Sequence, residues 1–122
     1  EVPSNAKILS IKLFNDALDG GSNLATDVGV YNGPIATSSY AANAVIDRDC
    51  YATASAVLQA AVLTGTEVAF EVRNVNAISN YVWEDAGLSS DPGVPLRIAL
   101  TIETVASSAA AGDITLQVTY VH

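Results

Sequence analysis

Asp47 and Asp49 are the two carboxylates in this chain best spaced for acid–base chemistry. On an extended segment, residues two apart project to the same side, which sets these side chains roughly 7 Å apart along the chain. A pair at such a separation resembles the two acids that flank a glycosidic bond. Arg48 stands between them, however, and no sugar-stacking aromatics accompany the segment, so a local ion pair or an intersubunit contact through Arg48 is the stronger reading. Asp16, Asp19 and Asp27, with Gly20 and Gly21 among them, have the composition of a calcium loop. The alternating ligands and closing Glu of an EF-hand are missing, and turn chemistry accounts for Asp16 and Asp19. The lone Cys50 has no internal disulfide partner, and acids beside it raise rather than lower a thiol pKa, so it reads as buried and inert. The one histidine is the last residue, His122, a poor place to orient an imidazole for a triad or a zinc site. Trp83 beside Tyr81 reads as core rather than as a ligand-stacking platform. No glycosylation sequon, phosphate loop or Walker motif is present. These residues supply no catalytic, cofactor-binding or metal-ligating set, and the expectation is a protein that is not an enzyme and needs no cofactor.

The elements that must position these residues follow from length and patterning. A chain of 122 residues makes one domain spanning 1–122, long enough to bury about two-thirds of its unfolded surface. Half of the residues are apolar and 15% are charged, which places the chain among globular proteins rather than disordered tails. Thirteen acidic side chains oppose five basic ones, for a net charge of −8. Lys7, Lys12, Arg48, Arg73 and Arg97 are scattered, so no basic patch is available to neutralise phosphates, and nucleic acid is not an expected partner. No apolar run approaches about 18 residues, and no membrane span is expected. The opening Glu1–Ala6 shows no charged and apolar signal-peptide pattern in the sequence as given, nor an initiating Met.

Period-two alternation dominates. In 114–122, Ile114, Leu116, Val118 and Tyr120 share one side while Thr115, Gln117 and Thr119 share the other. The same reading gives strands over 7–14, with Leu9, Ile11 and Leu13 on one face, and over 24–31, with Leu24, Val28 and Val30 inward and Asp27 outward. Residues 66–73 alternate Val68, Phe70 and Val72 against Glu67, Glu71 and Arg73. In 96–103, Leu96, Ile98, Leu100 and Ile102 line the inner side. Residues 44–49 add a short strand. The Ala-rich 52–63, stopped by Gly65, reads as a short helix, and 76–88 reads as a helix capped by Asn76 and ended by Gly87. Asn15–Ser22, Asn32–Pro34, Ser89–Gly93 and Ala106–Asp113 are turns and loops. The expected fold class is therefore all-β (mainly β). It is an antiparallel sandwich, with a jelly-roll arrangement among its forms, and one or two short helices cap an end.

Several segments, in order, resemble a group of small virion structural proteins of tailed bacteriophages. They are Ala6–Ile11 with Phe14–Asp19, Asp27–Tyr31, Val45–Asp49, Leu63–Glu67, Trp83–Pro92 and Ala111–Tyr120. The helix-turn Trp83–Pro92 and the final strand are the most specific of these. The family resembles capsid cement or decoration proteins, which lie on the outer surface of a capsid and tie major capsid protein subunits together. The resemblance implies a β-rich fold, a homotrimer, the major capsid protein as partner, and no catalytic residues. The second reading is a neck, tail or fibre component. It would act as a receptor- or glycan-binding sandwich, using a groove with Tyr31, Tyr40 or Trp83.

Overall fold

The computed structural model describes residues 1–122. Six strands form two antiparallel sheets of three, β4-β1-β6 and β3-β2-β5. The strands are β1 (Lys7–Asn15), β2 (Ala25–Asn32), β3 (Val45–Ser55), β4 (Val62–Glu67), β5 (Leu96–Thr104) and β6 (Ile114–Val121). The molecule is mainly β, a small sandwich with fewer strands than an eight-stranded jelly roll. The two middle strands, β1 and β2, carry most of the interior: Ile8, Ile11, Leu13, Val28 and Val30 are fully buried, with Tyr51, Leu58, Val68, Val82 and Leu96 closing around them. No helix is long and apolar enough to cross a membrane.

The chain changes sheets four times, and two of these connections are short links between outermost strands. One runs from β3 to β4 through a single 3-10 turn, Val57–Gln59, whose Leu58 is buried. The other runs from β5 to β6 through Val105–Asp113. The first side is closed by an ion pair. The Arg73 guanidinium donates to Asp85 Oδ2 at 2.6 Å and to the Ile8 carbonyl at 2.7 Å, and Tyr51 Oη donates to the same Asp85 oxygen at 2.9 Å. Arg73 also lies over the rings of Tyr51 and Phe70, at 5.1 and 4.7 Å. Both charges are withdrawn from water, with 4% and 2% of their side chains exposed. Such a pair is tolerated where hydrogen bonds satisfy the charges, as they do here for both terminal nitrogens of Arg73, leaving only its Nε without a partner.

Four expectations need correction. The Ala-rich 52–63 is not a helix: β3 runs on to Ser55, and β4 begins at Val62. Ala and Leu favour a helix locally by only tenths of a kcal/mol per residue, less than strand pairing with β2 and β1 supplies. The strand expected at 66–73 ends at Glu67, whose carboxylate bends the chain by accepting from the N–H groups of both Ile11 and Ala69. Val72 is consequently exposed and Arg73 buried, the reverse of the alternation. The helix expected at 76–88 is broken into a 3-10 segment, Val75–Ser79, and one α-turn, α1 (Val82–Asp85). Asn74, not Asn76, caps the first by accepting from Asn76 N–H at 2.9 Å. Gly87 does end α1 with φ +71°. Finally, Asp27 keeps the face opposite Val28 but is not exposed there: only 1% of it meets solvent, beneath the Arg48 and Ala54 of β3 that engage it. In β1 an extra residue, Leu9, shifts the register between Ile8 and Ser10, which brings Ile8 into the core beside Ile11 and Leu13.

Candidate functional site

The residues with the best credentials for chemistry are spent on structure. Asp27 Oδ1 accepts from the Ala54 N–H at 2.9 Å, and its Oδ2 lies 3.0 Å from Arg48 Nε. Arg48 is thus paired across the sheet with Asp27 rather than with its neighbours Asp47 and Asp49. This geometry needs β3 to fold closely over β2. Gly29 permits it, since a Cβ there would collide with the Asp47 and Arg48 backbone. Asp47 and Asp49 do approach each other: Asp47 Oδ1 accepts from Asp49 N–H at 3.3 Å. Burial pushes the Asp47 carboxyl above its ordinary value, against the Asp49 N–H and helped by the Asp49 side chain and its charge. The sugar-hydrolysis arrangement also needs aromatics beside the pair, and no hollow on the molecule is lined by either aspartate.

Asp19 is a turn residue, as its spacing predicts, and a buried one with 2% exposure. Its carboxylate accepts from the N–H groups of Gly21, Asn23, Leu24, Ser107 and Ser108 and from the Ser107 hydroxyl. It ties the β1–β2 turn to the β5–β6 loop. Asp16 does the same at the start of β6, accepting from Asp113 N–H at 2.9 Å. Cys50 is half-buried, and burial, reinforced by Asp47 and Asp85, pushes its thiol far above the ordinary range. No group of three or more His, Cys, Asp or Glu side chains is placed to share a metal ion. His122 packs near the Tyr120 ring at 6.0 Å and lines a hollow with Asn5, Lys7, Tyr81 and Val121.

Tyr31, Tyr40 and Trp83 do not form one aromatic groove. The Tyr31 hydroxyl bonds Thr101 Oγ1 on the outer face of β2 and β5. Trp83 stacks on Tyr81 with ring centroids 6.3 Å apart and packs partly against the core. Tyr40 alone borders a polar hollow of about 270 Å³ between Thr37–Tyr40 and Leu88–Pro92, with Asp91 in its wall.

Apolar side chains such as Val45, Leu63, Val72 and Val75 are exposed elsewhere, but one side of the sandwich presents apolar side chains in continuous rows beside a strand edge. β5 and β6 are both outermost strands of their sheets, joined by a loop that crosses between the sheets. Ile98 and Leu100 of β5, and Leu116 and Val118 of β6, pack against the core but stay partly exposed. Ile102, Ile114 and Tyr120 extend the same two rows with 45%, 40% and 37% of their surface exposed. These positions pair with buried residues of β1 and β2, so they belong to the inner faces. The rows lack a neighbour on their open side. Sequence periodicity assigned the right faces to these residues. It was blind to their exposure, which depends on how many strands the sheet has beyond them.

The four outermost strands differ sharply. β3 carries Asp47, Arg48 and Asp49 and three register shifts. β4 has six residues, ends in Glu67 and loses register around Gly65 at φ +87°. β5 bears Arg97 and Glu103, with Glu103 the extra residue where its pairing with β2 shifts. Charges, bulges and shortness are the devices that keep a sheet edge from recruiting another strand. β6, Ile-Thr-Leu-Gln-Val-Thr-Tyr-Val, has eight residues with no charge, proline or glycine. The shift in its pairing with β1 comes from Leu9 of β1, so β6 itself runs unbroken.

Comparison with known proteins returned no matching family model, no matching curated protein and no matching solved structure.

Proposed function

We propose that this chain is a non-enzymatic virion structural protein of the decoration type. It would bind the major capsid protein on the outer surface of a tailed-phage capsid and stabilise the lattice. The observation that supports this reading best is the open β5–β6 side, where two half-covered apolar rows meet a strand edge free to pair. That surface suits docking on another protein. The acidic balance agrees with it, since a chain of net charge −8 is repelled by packaged DNA and favours a place outside the shell. Many weak contacts repeated over a lattice then sum to a large stabilisation. Self-association belongs to the same reading, and the resemblance implies three copies.

The test is binding of the purified protein to capsids of the encoding phage that lack it, read by co-sedimentation and particle reconstruction. Saturation at a copy number that matches the lattice is the expected result. No binding, or occupancy confined to one vertex, would sink the proposal. A second reading, a glycan-binding module of neck or tail, is favoured by the hydroxyl-rich hollow bordered by Tyr40 and Asp91. Under that reading Tyr40→Ala abolishes retention on an immobilised host polysaccharide and leaves capsid binding untouched.

A further inference from the structure

We infer that β6 is a self-pairing edge: two copies of this chain join β6 to β6 antiparallel about a two-fold axis at Gln117, making one continuous six-stranded sheet. β1 occupies one edge of β6, and no hydrogen bond is made from the other edge. In an antiparallel strand alternate N–H and C=O groups point to each side, so the outer set is ready for a partner.

The sequence of the strand identifies the occupant as a second copy. Centred on Gln117, antiparallel pairing sets Leu116 against Val118 and Ile114 against Tyr120, each twice by symmetry, and all on the inner face. On the outer face Thr115 meets Thr119, and Gln117 meets its own copy. From Ile114 to Tyr120 every apolar residue meets an apolar one and every polar residue a polar one; only the terminal Val121 departs from this, falling opposite Asp113 just before the strand. The half-exposed Ile114 and Tyr120 cover each other across the junction, which extends the rows left open at the side of the sandwich.

Electrostatics points the same way. Two copies at net charge −8 repel, so the contact must be made where neither carries charge. Self-pairing about Arg48 of β3 would oppose Asp47 to Asp49. At β6 the nearest charges on the outer face sit one strand back, where Lys12 pairs with Gln117 on one side and with Glu67 on the other. The row across the joined sheet reads Glu67, Lys12, Gln117 and then its mirror image. Three strand spacings place the two Lys12 roughly 14 Å apart, beyond the physiological screening length of about 8 Å. Each copy is already compact, exposing 6080 Å² against about 6,200 Å² from size scaling for its mass. Pairing therefore joins folded molecules and is reversible.

Sedimentation velocity over a concentration series tests this with the protein alone, so its outcome is separate from capsid binding. Two copies at high concentration, dissociating on dilution, are expected. Gln117→Glu and Gln117→Lys, both on the solvent face, should each weaken association roughly fivefold by setting like charges opposite one another. An equimolar mixture of the two should associate at least as tightly as the original protein, and far-UV circular dichroism of each variant should match it. A strict monomer, a trimer, or a mixture no tighter than its separate components would overturn the inference.

Discussion

A single carboxylate, Asp19, takes five backbone N–H groups and one hydroxyl from two loops remote in sequence. Burial works to raise its pKa, but the N–H groups of Leu24, Ser108, Gly21 and Asn23 together outweigh it and hold the carboxyl well below its ordinary 3.8. Glu67 is also lowered from 4.5: burial raises it, and the Ser10 hydroxyl with the Ile11 and Ala69 N–H groups outweighs that. A group whose folded pKa lies below its unfolded one stabilises the fold above the unfolded value and loses that contribution as pH falls. Asp47 and Asp85 are raised chiefly by burial and act in the opposite sense, favouring the fold at lower pH. Urea midpoints measured downward from pH 4.5 should therefore fall in part through Asp19 and Glu67. Asp19→Asn should lower the midpoint at neutral pH and flatten its decline in acid; an unchanged slope would refute the assignment. Ala54 offers a second test, because it sits at φ +48°, where a Cβ is strained. Relief of about 1–2 kcal/mol exceeds the roughly 0.5–1 kcal/mol that glycine loses in chain entropy. Ala54→Gly should thus stabilise by about half to one kcal/mol by chemical denaturation.

At the level of elements, the ion pair between Arg73 and Asp85 holds the irregular 70–85 stretch against the sandwich. Removing one partner, as in Asp85→Ala, strands a buried guanidinium and should cost about 3–5 kcal/mol. Replacing both, as in Arg73→Met with Asp85→Leu, should recover most of it, and a double-mutant cycle on urea unfolding measures the difference. This stretch is also where the sequence was least legible. Alternation exposed β2, β5 and β6 because each keeps one face on the core along its length. The pattern from Val68 to Arg73 looked the same, yet Glu67 ends the strand by capturing two backbone N–H groups. A side chain accepting main-chain bonds from another strand leaves no periodic trace. The Ala-rich run before β4 misled for a related reason, since its residues are weak helix formers in a place where tertiary pairing decides. The burial of Asp27 was not legible because its partners, Ala54 N–H and Arg48, arrive from β3 only after Gly29 lets the strands close. Asp19 and Asp16, by contrast, were readable as turn residues from local spacing alone.

Across the whole molecule, the sandwich is sealed on the side of the β3–β4 connection and left open on the side of the β5–β6 connection. The decoration reading and the two-fold pairing draw on the same open side; the pairing sets two copies where the resemblance implies three, and sedimentation separates these while capsid binding tests the decoration reading. Arg48 and Arg97 are engaged within the chain, with Asp27 and with Glu1 and Asn43 respectively, so their charges are largely committed before any partner arrives. Arg97→Glu should consequently loosen the amino-terminal segment more than capsid attachment, read as faster amide exchange at Val2 and Leu96, which bond each other. The uneven treatment of the four outermost strands carries one more implication. A molecule with two receptive borders polymerises into fibres, whereas one with a single receptive border stops as soon as it has met its match. Concentrated solutions of this protein should stay clear and of bounded particle size, because β6 is the one border able to add a further strand.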